Sequence, residues 1–101
     1  MRPRTTAHIR ALQRGESVTF RVLRGELPLL EGRMLTFAPV KEPDLIPGDL
    51  VLCVVDGAQC IRRVTVITPH VVRLAATPNA SSAFVLHDYV YGRSVREERE
   101  R

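Results

Sequence analysis

The side chains able to carry chemistry are few and scattered: Ser17, Ser81, Ser82 and Ser94; Cys53 and Cys60; His8, His70 and His87; and a single lysine, Lys41. A nucleophile needs a base within reach, and a metal needs ligands at close spacing. No two of the histidines stand at metal-ligand spacing, so no metal and no cofactor is expected, and structural or surface roles suit them. His87-Asp88 together with Ser81 or Ser82 contains the members of a Ser-His-Asp triad, but geometry defines a triad and spacing alone does not. Cys53 and Cys60 match neither a zinc pattern nor a disulfide framework. They read as two thiols packed in or near a core, where cysteine behaves as a small hydrophobe, with a disulfide across a hairpin as the alternative. Glu26 and Glu31, near Gly25 and Gly32, read as solvated charges in a loop between strands, and Lys41-Glu42-Pro43-Asp44 as a polar connector.

The elements that must position these groups are mostly strands. Thr5 and Thr6 can cap a short helix with Ile9 and Leu12 on one face and Gly15 at its end, which predicts a helix over about residues 6–14. From Ser17 the period changes to two: Val18, Phe20 and Val22 alternate with Ser17, Thr19 and Arg21, as in a half-buried strand. Residues 34–38, 50–55, 59–67 and 70–75 read as further strands, and 84–86 and 89–95 as the last apolar segments. Asp56-Gly57 favours a tight hairpin turn whose central residues both take positive φ, so the strands on either side of it are antiparallel neighbours. The expected fold is therefore mainly β: a small, bent sheet or partial barrel with a short N-terminal helix.

Size and composition agree with this. A chain of 101 residues, 45% hydrophobic and 26% charged, suits one domain with one core. No apolar run reaches the roughly 18 residues of a membrane span, no membrane association is expected, and the polar N-terminal stretch lacks the apolar region of a secretory signal. The chain is read as a cytoplasmic protein. The net charge is +4 and every basic residue but Lys41 is arginine. Arg4, Arg10 and Arg14 form a candidate nucleic-acid contact on the N-terminal helix, since phosphate binding needs clustered cations, although few aromatic residues accompany them. The charge-mixed residues 96–101 read as a solvated tail.

Three segments carry a family likeness. Ile46-Pro47-Gly48-Asp49-Leu50-Val51-Leu52, then Cys60-Ile61-Arg62-Arg63-Val64, then Val90-Tyr91-Gly92 follow one another in the order and spacing of the LexA-repressor and signal-peptidase serine peptidases. The chain resembles their catalytic domain over residues 17–95, with residues 1–16 as an arm and short helix ahead of it. In that family a serine in a Gly-x-Ser-Met-x-Pro segment is activated by a lysine of an Ile-Lys-Arg-Val strand, a lysine that burial can keep neutral near pH 7. Here the corresponding segment runs Gly25-Glu26-Leu27-Pro28, with no serine, and the lysine position falls on Arg62, whose guanidinium does not deprotonate in proteins. An alternative register, with Gly32-Arg33-Met34 over the motif, leaves both groups missing as well.

The resemblance thus implies a degenerate, non-enzymatic member with its former dyad at Glu26 and Arg62. Gly25, Leu27, Pro28, Arg33 and Arg63 would line a groove that holds an extended peptide of a protein partner, since main-chain pairing needs neither serine nor lysine. It also implies a homodimer through the C-terminal strand, residues 89–95. A phage or mobile-element regulator of a host protein suits so small a domain. The rival expectations are a peptidase that uses another nucleophile, Ser81, Ser94 or Cys53, and a nucleic-acid-binding accessory protein.

Overall fold

The computed structural model describes residues 7–22, 32–40, 45–75 and 82–95. Arg4, Gly25, Glu26, Leu27, Pro28, Ser81, residues 41–44 and the tail 96–101 lie outside the described residues. One helix, α1 (Ala7–Gln13), precedes seven strands: β1 (Val18–Arg21), β2 (Met34–Pro39), β3 (Leu50–Val55), β4 (Ala58–Ile67), β5 (Val71–Ala75), β6 (Ser82–Leu86) and β7 (Val90–Ser94). A 3-10 turn, His87–Tyr89, joins the last two. The strands form one antiparallel sheet in the order β1-β2-β7-β3-β4-β5-β6, which does not close. The expectation of a mainly β fold with a short N-terminal helix holds.

The run Leu50-Val51-Leu52-Cys53-Val54-Val55 is apolar throughout because β3 lies fourth in the sheet and is covered on both faces. Val51 and Cys53 join Cys60, Val64, Val72, Leu74, Val85 and Val90 in one core. Leu52, one residue out of phase, joins Ile9, Leu12, Val22, Phe37 and Ile61 in a second core beneath α1. Strand β1, at an edge, shows the simple alternation of half-buried and exposed residues that its sequence predicts.

Turns and bulges bend the sheet. Asp56 (φ 53°) and Gly57 (φ 81°) make the β3–β4 hairpin, with Val55 opposite Ala58. Thr65 is an extra residue in β4 between the pairs Val64–Leu74 and Val66–Arg73, and Tyr91 is an extra residue in β7 between Leu52–Gly92 and Cys53–Val90. Such bulges increase local twist and bend a strand. At the β4–β5 turn the Thr68 hydroxyl donates to the Val71 carbonyl and accepts from the His70 and Val71 N–H groups.

Strand β7 is interior. Its residues pair with β2 (Phe37–Ser94, Pro39–Gly92) on one side and with β3 (Val51–Arg93, Leu52–Gly92) on the other. A homodimer contact by residues 89–95 would therefore use side-chain faces, since the backbone edges of β7 are taken within the chain.

Candidate functional site

The positions singled out in the sequence are spread over the sheet. Arg62 stands on β4 opposite Val51, on the same side of the strand as Cys60 and Val64, half-buried, with Nη1 donating to the Ile61 carbonyl at 2.9 Å. Arg63, the next residue, projects to the opposite side and donates through Nη1 to the Gly48 carbonyl at 2.8 Å. Arg33 is exposed just before β2, two strands removed from β3 and three from β4 in the sheet order. Of the expected groove, Arg33, Arg62 and Arg63 are the described residues, and Arg62 and Arg63 point to opposite sides of β4.

The residues on which the expected resemblance rested make structural contacts. Gly48 takes φ 99° and donates its N–H to the Val64 carbonyl at 2.8 Å, while the Val64 N–H returns to the Asp49 carbonyl at 2.8 Å. The Asp49 side chain is 5% exposed and its Oδ2 accepts from the Ile46 N–H at 3.0 Å. The Pro47-Gly48-Asp49 turn is thereby tied to β4 at Val64 and Arg63. Gly92 lies under Leu12 of α1, and any side chain there would meet the helix.

The other candidate groups are engaged elsewhere. His87 Nε2 lies 2.7 Å from the Thr68 carbonyl; a carbonyl only accepts, so Nε2 carries the proton and donates. This ties the β6–β7 connection to the β4–β5 turn and withholds that nitrogen from a serine. His8 stacks on Phe20 with ring centroids 4.3 Å apart, and Phe20 stacks on Phe37 at 5.4 Å, so the imidazole serves to seat α1 on β1 and β2. Ser82 is exposed on β6 and Ser94 half-buried on β7. No cluster of metal-ligating side chains occurs among the described residues.

Arg14 forks onto Glu16, with Nε and Nη2 at 3.2 and 3.1 Å from its carboxylate oxygens. These hydrogen bonds, and then the charge attraction, raise the guanidinium pKa and lower that of the carboxyl. Arg10 is exposed on α1. Burial pushes the Tyr91 phenol above its usual pKa, reinforced by Tyr89 and Asp88.

Cys53 and Cys60 face each other across the β3–β4 hairpin, their Sγ atoms 3.9 Å apart, and they are not joined in a disulfide. The Cys53 thiol donates to the Cys60 carbonyl at 3.5 Å. Both are buried, so the core-thiol expectation holds. Alkylation by iodoacetamide should be at least tenfold slower for the native protein than in guanidinium chloride, because exposure requires local opening. Intact-mass spectrometry over time checks this; equal rates would place the thiols at the surface.

The sequence reading missed a groove that the described residues form. An open groove of about 610 Å3 runs between the tip of the β3–β4 hairpin, residues 54–57, and β6 with its following turn, residues 83–86 and Tyr89. This volume falls within the range of small-ligand and peptide pockets. β3 and β6 are three strands apart in the sheet order, so they share a groove only because the sheet curls. Phe84 (64% exposed), Leu86 (52%) and Tyr89 (46%) leave much of their apolar surface in solvent here. A signal was present in the sequence: Ser82-Ala83-Phe84-Val85-Leu86 has neither charge nor proline, the usual protection of a sheet edge. Only the strand order shows that this segment is an edge.

Among the described residues no helix is long and apolar enough to cross a membrane. No protein-family model, no curated protein and no solved structure matches the chain.

Proposed function

We propose that this chain is a non-catalytic, peptidase-like β domain that binds another protein. The observation that carries the reading is the β6 edge, unpaired among the described residues, beside the groove, with Phe84, Leu86 and Tyr89 exposed together. Exposed apolar patches and open edges are costly in a monomer and mark interaction surfaces. The chemistry at Arg62 is consistent with binding without cleavage: a permanently charged guanidinium bonded to a backbone carbonyl does not take a proton from a nucleophile. The nucleic-acid alternative has less support, since Arg14 is turned onto Glu16.

Two measurements test the proposal. Treatment with a fluorophosphonate and, separately, a chloroacetamide probe should give no stoichiometric adduct on the folded protein by intact mass, and a casein or peptide-library digest should show no cleavage. The immobilised protein should instead retain sequences from a displayed library of random ten-residue peptides. A single stoichiometric adduct at Ser81, Ser94 or Cys53, accompanied by cleavage, would restore the enzyme reading.

A further inference from the structure

We infer that the β6 edge, unpaired among the described residues, accepts an extended partner strand with alternating apolar side chains and a lysine or arginine at the end near Asp56 and the turn that carries Asp88. This rests on the protein-binding reading above and adds which element binds and what chemistry the partner has.

The edge is built for pairing. β6 closes the strand order, and its register with β5 is unbroken from Val71–Leu86 to Ala75–Ser82. Bulges, prolines and charged residues, which blunt natural edges, are missing from β6 itself, while Arg73 of β5 lies over the Phe84 ring at 5.9 Å from its centroid. The other edge strand, β1, has only four residues and ends on Arg21, whose Nη1 donates to the Gly32 carbonyl. Four consecutive β6 residues, 83–86, line the groove, so it follows the strand's backbone edge; a groove lying on one face would touch alternate residues only. An added strand gains affinity from main-chain hydrogen bonds and specificity from pockets for alternate side chains. Phe84, Leu86, Tyr89 and Val55 provide those pockets here.

The charges choose the partner. Of the carboxylates among the described residues, Glu16 bonds Arg14 and Asp49 is buried in the turn. The two others are exposed: Asp56 lines the groove, and Asp88 stands in the turn that follows β6. The chain carries +4 overall, so its long-range field favours acidic peptides. A preference for a basic residue would run against that field and report the local carboxylates.

The test uses the whole chain and three fluorescein-labelled ten-residue peptides of alternating valine and threonine that end in arginine, serine or glutamate. A fourth has proline at every second position and cannot pair as a strand. At 150 mM salt, fluorescence anisotropy should show the arginine peptide binding about tenfold more tightly than the glutamate peptide, and the proline peptide not binding. Phe84→Lys is exposed and should keep the native circular dichroism while weakening the arginine peptide at least tenfold. Asp56→Asn combined with Asp88→Asn should bring the arginine and glutamate peptides within about twofold. Equal binding of these two peptides to the unmodified protein overturns the charge preference. Binding that ignores Phe84→Lys overturns the edge as the site and leaves the broader reading standing, as does silence of all four peptides while the displayed library yields binders. A concentration-dependent dimer in sedimentation that Phe84→Lys abolishes gives the edge to a second copy and overturns the inference. Silence of both the peptides and the library overturns it together with the protein-binding reading.

Discussion

Gly92→Val is expected to destabilise the fold by about 2–3 kcal/mol, the upper part of the range for overfilling a packed core. For a domain of this size that lowers the melting temperature by roughly 10–20 °C. A Cβ at Gly92 would lie 2.9 and 3.1 Å from the two methyl carbons of Leu12 and 3.2 Å from Cβ of Phe37. Leu12 is 3% exposed and Phe37 fully buried, so neither can swing into solvent. Either α1 lifts from the sheet or β7 shifts against β3, where Gly92 pairs with Leu52. A double-mutant cycle makes the cause specific. Gly92→Ala and Leu12→Ala are each expected to destabilise, but the pair should cost at least about 1 kcal/mol less than their sum, because removing the leucine opens the space that the added methyl needs. Thermal unfolding followed by circular dichroism measures all three. Strict additivity would mean that α1 does not rest on Gly92.

Asp49→Ala should cost about 1–3 kcal/mol, the effect of losing a partly buried hydrogen bond from a backbone N–H to a charged acceptor. The donor is the Ile46 N–H, 3.0 Å from Asp49 Oδ2 in a turn that also holds Gly48 at φ 99°. Loss of this bond loosens the turn that ties residues 48 and 49 to Val64 in β4. Asp49→Asn keeps a carbonyl oxygen at the same place and should recover more than half of the loss, which separates the hydrogen bond from the charge. Urea unfolding of the three proteins, compared at a common slope, is the measurement. An asparagine variant as weak as the alanine variant would assign the effect to the charge instead.

Both predictions concern residues that carry the likeness to a serine-peptidase domain, and in both the physical role is structural. A turn glycine with positive φ, a buried carboxylate that accepts a backbone N–H and a glycine beneath a helix are needed whether or not a nucleophile stands nearby. The likeness remains one of motif order, because it is carried by Pro47-Gly48-Asp49, Arg62-Arg63 and Tyr91-Gly92 and by no wider match.

Much of the local structure was legible beforehand. The helix was expected over 6–14 and spans Ala7–Gln13; β3 coincides with its expected span, and β4 begins one residue earlier. Such elements are written in short-range chemistry: alternation, capping residues, and the demand of Asp56-Gly57 for positive φ. The hairpin even implied that Cys53 would face Cys60, since a two-residue turn with Val55 opposite Ala58 sets every later pair.

The sequence by itself thus determined the type and approximate extent of the elements, the antiparallel pairing of β3 with β4 and the absence of a lysine at residue 62. Tertiary structure alone decided that β7 inserts between β2 and β3, that Gly92 makes room for Leu12, and that β6 is left as an open edge beside a groove. The physical reason is range. Periodicity and turn propensity act within a few residues, whereas strand order is selected by which distant faces bury the most apolar surface together. An uncharged run such as Ser82–Leu86 reads the same at the centre of a sheet as at its edge; its place in the sheet turns it into a binding surface.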